Sequence, residues 1–329
     1  MKQVIFVPIE VLEERYSAQW LTWFSRDFKA LGLDPIIVGA QDLRKIRQGQ
    51  FLDVFETCKY KTDQMAEILT LVEAGFEGTI FFMDGWFPGI EHLAYIRSNA
   101  NRKLNLVGIL HAGTWDPWDF LTQNGCREWA HWLESAWLII FDRVLVATEF
   151  HKEMIEDARG LVNASGKIKV VKFPCYRNDA LRNETPKENI VLFPHRLAPE
   201  KRPQEFEEVT EIFRQRYPKE MVDLGIRFLR TKDACKTKAE YYELLARSRV
   251  VFSSADQETF GIAMLEGVAL GCWPVAPDRL SYRETLAEFP RYNNLGDAAD
   301  LILRALLQKD LPAVCYSDAT VKIIQAALE

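Results

Sequence analysis

Residues 250–284, VVFSSADQETFGIAMLEGVALGCWPVAPDRLSYRE, read as strand, loop, helix, strand and loop. The β-branched run at 250–253 suits a buried parallel strand. Residues 254–261 form a polar loop. Residues 262–270 carry helical spacing, and Gly271 stands where a helix C-cap belongs. A second strand is predicted over 273–276. Glu258 falls in the loop and Glu266 about one turn into the helix, near the apolar Ile262 and Leu270. A carboxylate on a core-facing stripe is costly unless something hydrogen-bonds it. The start of a helix that follows a strand favours anions, because free N–H groups and the helix dipole point there. The stretch therefore predicts an anion site at Thr259, Phe260 and Gly261, with two carboxylates able to accept from hydroxyls. That pairing suits a sugar nucleotide. A surface helix with two solvated glutamates is the plainer alternative.

Working outward, the strand 190–193 leads into PHRLAPEKRP, residues 194–203. Arg196 and Lys201 flank a loop at the carboxyl end of that strand, beside a helix start, where two cations suit a diphosphate. Upstream, strands alternate with helices from residue 4 onward, which predicts parallel, doubly wound sheets. Trp20, Phe24 and Phe28, at spacing four, mark the buried face of a helix over 13–31. Further helices are predicted over 63–74, 90–98 and 125–141, the last rich in tryptophan, and closing helices over 301–308 and 319–328. Residues 42–60 give no clear signal. Residues 174–188, with two prolines and several basic side chains, read as a linker. It separates an N-terminal domain, 1–173, from a C-terminal domain, 189–329.

Composition bounds the reading. The chain has 329 residues, 48% hydrophobic and 27% charged, with a net charge of −6. That is globular, and acidic overall, which argues against a generally nucleic-acid-adhesive protein. The six cysteines have no CxxC spacing and build no zinc site with the histidines. No GxGxxG follows a first strand, so a dinucleotide-dependent oxidoreductase is disfavoured. No apolar run approaches the length of a transmembrane helix, and the N-terminal apolar run is too short for a signal peptide. A cytoplasmic protein without membrane partners is expected.

The two acids with seven residues between them, together with Phe260, Gly261, Met264, Gly267 and the Gly271 stop, resemble the signature of retaining GT-B glycosyltransferases. These are the sucrose-synthase-like and glycogen-synthase-like enzymes. The resemblance implies an α/β fold of GT-B type, with two Rossmann-like doubly wound domains facing across a cleft. It implies that Arg196 and Lys201 hold the donor diphosphate, with no metal and no cofactor beyond the donor. Glu258 would contact the donor sugar, Glu266 would accept from the ribose hydroxyls, and the backbone of Thr259–Phe260–Gly261 would meet sugar and phosphate. His111, at a strand end in the first domain, would correspond to a family histidine that reaches the donor sugar; a structural histidine is the alternative. A narrower likeness, to queuosine-tRNA mannosyltransferase-like proteins, is carried by residues 241–286, by FPHRLAPEKRPQEF at 193–206 and by DRVLVATEFHKEMI at 142–155.

The acceptor is read less directly. Asp84 ends a strand and can bind an acceptor or take its proton; a turn aspartate is the alternative. Trp86, Trp115 and Trp118, in strand-end loops, are expected to stack on a flat acceptor, whereas Trp129, Trp132 and Trp137 are expected in a helix core. Many relatives carry Gly-Gly after the first strand, where this chain has Pro8, Ile9 and Glu10. A modified base in nucleic acid is the expected acceptor, hydroxymethylpyrimidine DNA of the phage type first and queuosine tRNA second. A small molecule or glycan remains open as acceptor. So does a non-catalytic nucleic-acid-binding scaffold on the same fold, which would be expected to lose one of the four key residues.

Overall fold

Alternation of β-branched runs with amphipathic segments produces two parallel sheets in the computed structural model, which describes residues 3–13, 15–39, 53–160, 166–176, 178–312 and 318–329. The chain divides into two compact units, residues 1–172 with 318–329, and residues 173–317.

The first unit runs β1 (Val4–Val7), α1 (Tyr16–Ala30), β2 (Ile36–Ile37), α2 (Val54–Glu73), β3 (Gly78–Phe82), α3 (Ile90–Asn99), β4 (Leu104–Ile109), α4 (Phe120–Gln123), α5 (Arg127–Ile140), β5 (Arg143–Val146), α6 (Glu149–Arg159) and β6 (Ile168–Val170). The sheet order is β2-β1-β3-β4-β5-β6, parallel throughout. Successive residues of a strand face opposite sides. Ile5, Val7, Ile80, Phe82 and Leu106 therefore pack with α2, α3, α5 and α6 in one core. Phe6 and Phe81 face the other side, where Phe24 and Phe28 of α1 meet Phe6 at ring distances of 5.6 and 5.2 Å. The four-residue spacing of Trp20, Phe24 and Phe28 is thus the buried stripe of α1. Residues 42–52 of the segment without a clear signal lie outside the described residues. The rest of it belongs to α2, whose start is capped by Asp53 accepting from the N–H of Glu56 at 3.2 Å.

The second unit runs α7 (Asp179–Glu184), β7 (Glu188–Phe193), a 3-10 turn (Pro199–Lys201), α8 (Pro203–Arg216), α9 (Pro218–Asp223), β8 (Arg227–Arg230), α10 (Thr231–Ala234), α11 (Lys238–Arg247), β9 (Ser248–Phe252), α12 (Ile262–Ala269), β10 (Trp273–Val275), α13 (Tyr282–Thr285) and α14 (Leu295–Leu306). Its sheet is β10-β9-β7-β8, again parallel. Helices α8 and α14 cover one face with Phe206, Phe213, Ala298 and Ile302. Helix α12 can lie close to β9 because residue 267 is glycine: a Cβ there would stand 2.9 Å from Cγ1 of Val251. Gly271, at φ +87°, ends α12, and the N–H of Cys272 reaches back to the carbonyl of Gly267 at 2.8 Å. This is the Schellman arrangement.

Two sequence expectations change here. The segment read as a linker contains α7, capped by Asn178, and the start of β7. The last helix, α15 (Ala319–Leu328), belongs to the first unit and not to the C-terminal domain. There Thr320 donates to Asp27 of α1, and Arg143 donates to the carbonyl of Ala326 at 2.6 Å. An amphipathic pattern fixes the helix but not the sheet it covers.

Candidate active site

In the second unit, two strand-end loops are laced together. Arg202 takes a left-handed conformation, φ 49°, an uncommon one for a non-glycine residue. It closes the 3-10 turn just before Pro203 opens α8. Ser254 Oγ donates to the carbonyls of Lys201 and Arg202 at 3.0 and 2.9 Å, and the N–H of Asp256 reaches Glu200 O at 2.8 Å. The carboxylate of Asp256 pairs with Arg202 and Arg279, both at 3.0 Å.

This lacing sets Lys201 against the loop before α12. Its ammonium donates to the carbonyl of Gln257 and lies 3.3 Å from Oε2 of Glu258. Burial alone would raise the Glu258 carboxyl. Lys201 and the N–H of Gly261 outweigh it, so the group sits below the ordinary glutamate range. Arg196, half exposed, lies on Oε1 of Glu200 at 2.5 and 3.0 Å. The Thr259 and Phe260 side chains are buried, and Phe260 packs on Phe173 at 5.5 Å. The Gly261 N–H, expected to be open to a phosphate, donates instead to Glu258. Glu266, 2% exposed, accepts from the hydroxyls of Tyr241 and Tyr242 at 3.0 and 2.8 Å. Lys238 lies 3.6 Å from it. The spacing in sequence thus brings Lys201 onto Glu258 and leaves Arg196 and Glu266 on partners of their own.

His195 was not singled out in the sequence. Its Nε2 lies 2.8 Å from Ser253 Oγ, which lies 2.7 Å from the Tyr282 hydroxyl. This buried chain runs beneath the loop that bears Glu258. Burial, reinforced by Lys201 and Arg196, pushes the His195 imidazole down to about 3. In the first unit, burial likewise holds His151 at about 3, where its Nε2 accepts from Trp115 Nε1 at 3.2 Å. Both residues are neutral when folded and titrate near 6.5 when unfolded. Between pH ~6.5 and ~3 the unfolded chain binds more protons, so stability is full above ~6.5 and is lost as pH falls through that window. The melting temperature is expected to drop steadily from pH 7 to pH 4. His151→Gln, which keeps an acceptor for Trp115, is expected to flatten the drop. An equal slope in wild type and variant by calorimetry would refute this.

The first unit gathers polar groups at the carboxyl ends of its strands. Asp84, after β3, accepts from the N–H of Trp86 at 3.0 Å and pairs with Lys61 of α2 at 2.9 Å. Lys61 also donates to the carbonyl of Trp86. His111, after β4, has Nε2 on the carbonyl of Met83 at 2.7 Å, with its ring 5.3 Å from Trp20. Burial lowers its pKa. At the end of β1, Glu10 accepts from Thr57 at 2.7 Å, and Pro8 O accepts from Gln64 at 2.9 Å. Thr57, Lys61 and Gln64 share one face of α2, at spacings of four and three. That face ties down the loops after β1 and β3. Lys61 was missed because its partner is remote in sequence.

The tryptophan expectations are partly reversed. Trp115 is buried beneath Gly113, with the Arg159 guanidinium 5.7 Å over its ring, and offers no free face. Trp86 is half-buried, edge-on to Trp137 at 5.4 Å, with its Nε1 on Glu134 at 2.9 Å. Trp118 is 47% exposed. Trp137 is core, but Trp129 and Trp132 are 49% and 73% exposed. The apolar residues of α5 occupy about half of the helix surface, opposite Arg127, Glu128, His131 and Ser135, and the core covers only the edge that carries Ala130 and Trp137; periodicity marks the apolar half but not how much of it is buried.

The two parallel-sheet units are those of the GT-B fold. No protein-family model matches the chain. Sucrose-phosphate synthase from Thermosynechococcus elongatus superposes with a TM-score of 0.61 at 15% identity, covering 100% of this chain and 95% of that one. An α,α-trehalose-phosphate synthase (UDP-forming) from Burkholderia vietnamiensis gives 0.60 at 13%, covering 100% and 95%. WaaG, a glycosyltransferase involved in lipopolysaccharide biosynthesis, gives 0.57 at 10%, covering 98% and 99%. At these identities the likeness is one of fold. In sequence, the chain is 43% identical over 56 residues to tRNA-queuosine alpha-mannosyltransferase from Drosophila melanogaster. The match spans 17% of this chain and 15% of the relative's length.

Proposed function

We propose that the protein is a glycosyltransferase that moves a sugar from a nucleoside-diphosphate sugar to a hydroxyl acceptor with retention. The observation that carries this is Lys201 held against Glu258 by the laced loops at the ends of β7 and β9. It supplies a cation for a departing diphosphate beside a carboxylate for sugar hydroxyls. Arg196 adds a second cation by leaving Glu200. Glu266 takes the ribose, and the backbone of 259–261 meets sugar and phosphate. No metal is required on this reading.

The resemblance to retaining enzymes, with no carboxylate assigned as a covalent nucleophile, favours same-face transfer. The bond from the anomeric carbon to the phosphate oxygen breaks as the bond to the acceptor oxygen forms. The acceptor proton passes to the departing phosphate oxygen. Asp84, held by Lys61, orients the acceptor, and His111 contacts the sugar. The acceptor is a modified base in nucleic acid. The local likeness to a queuosine tRNA mannosyltransferase favours tRNA, and Trp118 offers a stacking face. Hydroxymethylpyrimidine DNA and a small molecule are the competing acceptors.

The test is a thermal-shift screen of nucleoside diphosphates with and without EDTA, followed by mass spectrometry of tRNA and DNA exposed to enzyme and donor and NMR of the glycosylated product for its anomeric configuration. A metal-independent stabilisation by one diphosphate, and a hexose or pentose mass added to tRNA with α-configuration from an α-donor, are expected. Loss of binding in EDTA would overturn the metal-free reading. A β-linked product would overturn retention, and sugar on DNA alone would overturn the tRNA acceptor.

A further inference from the structure

Glu266 raises a physical question that its expected role leaves open. An ionised carboxylate buried this deeply is costly unless several donors meet it. Two hydroxyls donate to it and an ammonium stands nearby, all from the start of α11. The hydroxyls of Tyr241 and Tyr242 lie 3.0 and 2.8 Å from its two oxygens, and the Lys238 ammonium lies 3.6 Å from Oε2. Positions 238, 241 and 242 are i, i+3 and i+4, which is one face of a helix. The ammonium also lies over both tyrosine rings, 4.5 and 4.8 Å from their centres, a favourable cation–π placement. Tyr242 is fixed further by Tyr176, stacked on it at 3.6 Å and 12°. Burial, with Glu266 alongside, holds the Tyr241 hydroxyl well above its ordinary pKa. It therefore stays a donor.

A carboxylate has about four acceptor sites. The two tyrosines use one on each oxygen, which leaves one on each. The two adjacent hydroxyls of a ribose supply a matching pair of donors. We infer that Lys238, Tyr241 and Tyr242 are positioning residues for Glu266, and that they make the nucleotide subsite select a 2′,3′-diol over 2′-deoxyribose. This rests on the donor reading of Glu266 given above. The selectivity follows from geometry: with the carboxylate pinned, a deoxyribose leaves one oriented acceptor unmet, and a freely turning carboxylate would re-orient and discriminate less.

Titration calorimetry on the full chain tests this, using uridine, guanosine and adenosine diphosphates and their 2′-deoxy forms. For wild type, the best ribonucleotide should bind at least about tenfold tighter than its deoxy form, the scale of one hydrogen bond to a charged group. Tyr242→Phe keeps the ring and its stack on Tyr176. It should lower ribonucleotide affinity, leave deoxynucleotide affinity near wild type, and so remove most of the ratio. Tyr241→Phe should do the same, and provides the result should Tyr242→Phe fail to fold. In a Glu266→Gln background the tyrosine changes should have little further effect, as expected of residues that act through Glu266. An undiminished ratio in both phenylalanine variants would overturn the inference. So would equal losses for ribo and deoxy forms, or no discrimination by wild type. If no diphosphate binds wild type at all, the donor reading itself falls. If diphosphates bind and the ratio ignores the tyrosines, only the positioning role falls.

Discussion

Lys201→Ala is expected to slow sugar transfer several hundred-fold while the protein stays folded. Lys201 is the cation that the two loops hold inward. Its ammonium is committed to the carbonyl of Gln257 and to Glu258. A preorganised charge aimed at a departing anion contributes about 3–4 kcal/mol to a barrier, and each 1.36 kcal/mol is about tenfold in rate. Glu258→Ala is expected to reach a similar loss by removing the proposed sugar contact. The lysine variant carries a second signature. Burial is the largest influence on the Glu258 carboxyl and raises it, and Lys201 is the largest influence against that. Without Lys201 the carboxyl rises, so residual activity should fall off at higher pH on the acid side than wild type does. Near-normal turnover in either variant, with folding checked by circular dichroism, would remove these residues from the active site.

Arg159→Met is expected to cost about 3–5 kcal/mol of stability, because it strands a buried carboxylate. Arg159 and Glu134 are 0% and 1% exposed at their side chains and form an ion pair. The same carboxylate accepts from the N–H and hydroxyl of Thr114, at 2.8 and 2.6 Å, and from Trp86 Nε1 at 2.9 Å. Glu134 therefore ties the loop after β4 and the loop after β3 to α5 and α6. The double change Arg159→Leu with Glu134→Leu should recover only part of the loss, since Thr114 and Trp86 are then left without their acceptor. Of the nine tryptophans, all but Trp273 lie in the first unit. Tryptophan fluorescence during urea unfolding therefore reports this unit. A loss below about 1 kcal/mol would show that water or a rearranged loop takes the place of Arg159.

The local elements around Glu258 and Glu266 were legible because they follow from short-range rules. A β-branched run, a polar loop, helical spacing and a glycine stop lie within 35 residues in the quoted stretch 250–284, and each is set by its neighbours in sequence. The helix bearing Glu266 could therefore be drawn, as could the loop bearing Lys201 and the buried stripe of α1. The GT-B fold followed from the alternation of strands and helices with that signature. What the sequence left open was every contact between groups far apart in it. Lys61 meets Asp84 across 23 positions and Arg159 meets Glu134 across 25. His195 reaches Ser253 across 58. None of these spacings is a helical or strand period, so no pattern announces them. The tryptophans show the same limit. Strand-end position suggested that Trp115 was open, and a place in the tryptophan-rich helix suggested that Trp132 was buried. Packing reversed both, because Trp115 fits under Gly113 while the apolar half of α5 is broader than the part the core covers. The last helix was readable as a helix, but its place on α1 was decided by Thr320 and Asp27, 293 positions apart. Sequence by itself determined the local elements and the identity of their charged residues. Tertiary structure alone decided which buried charge has a partner, because that depends on which remote segments desolvate one another.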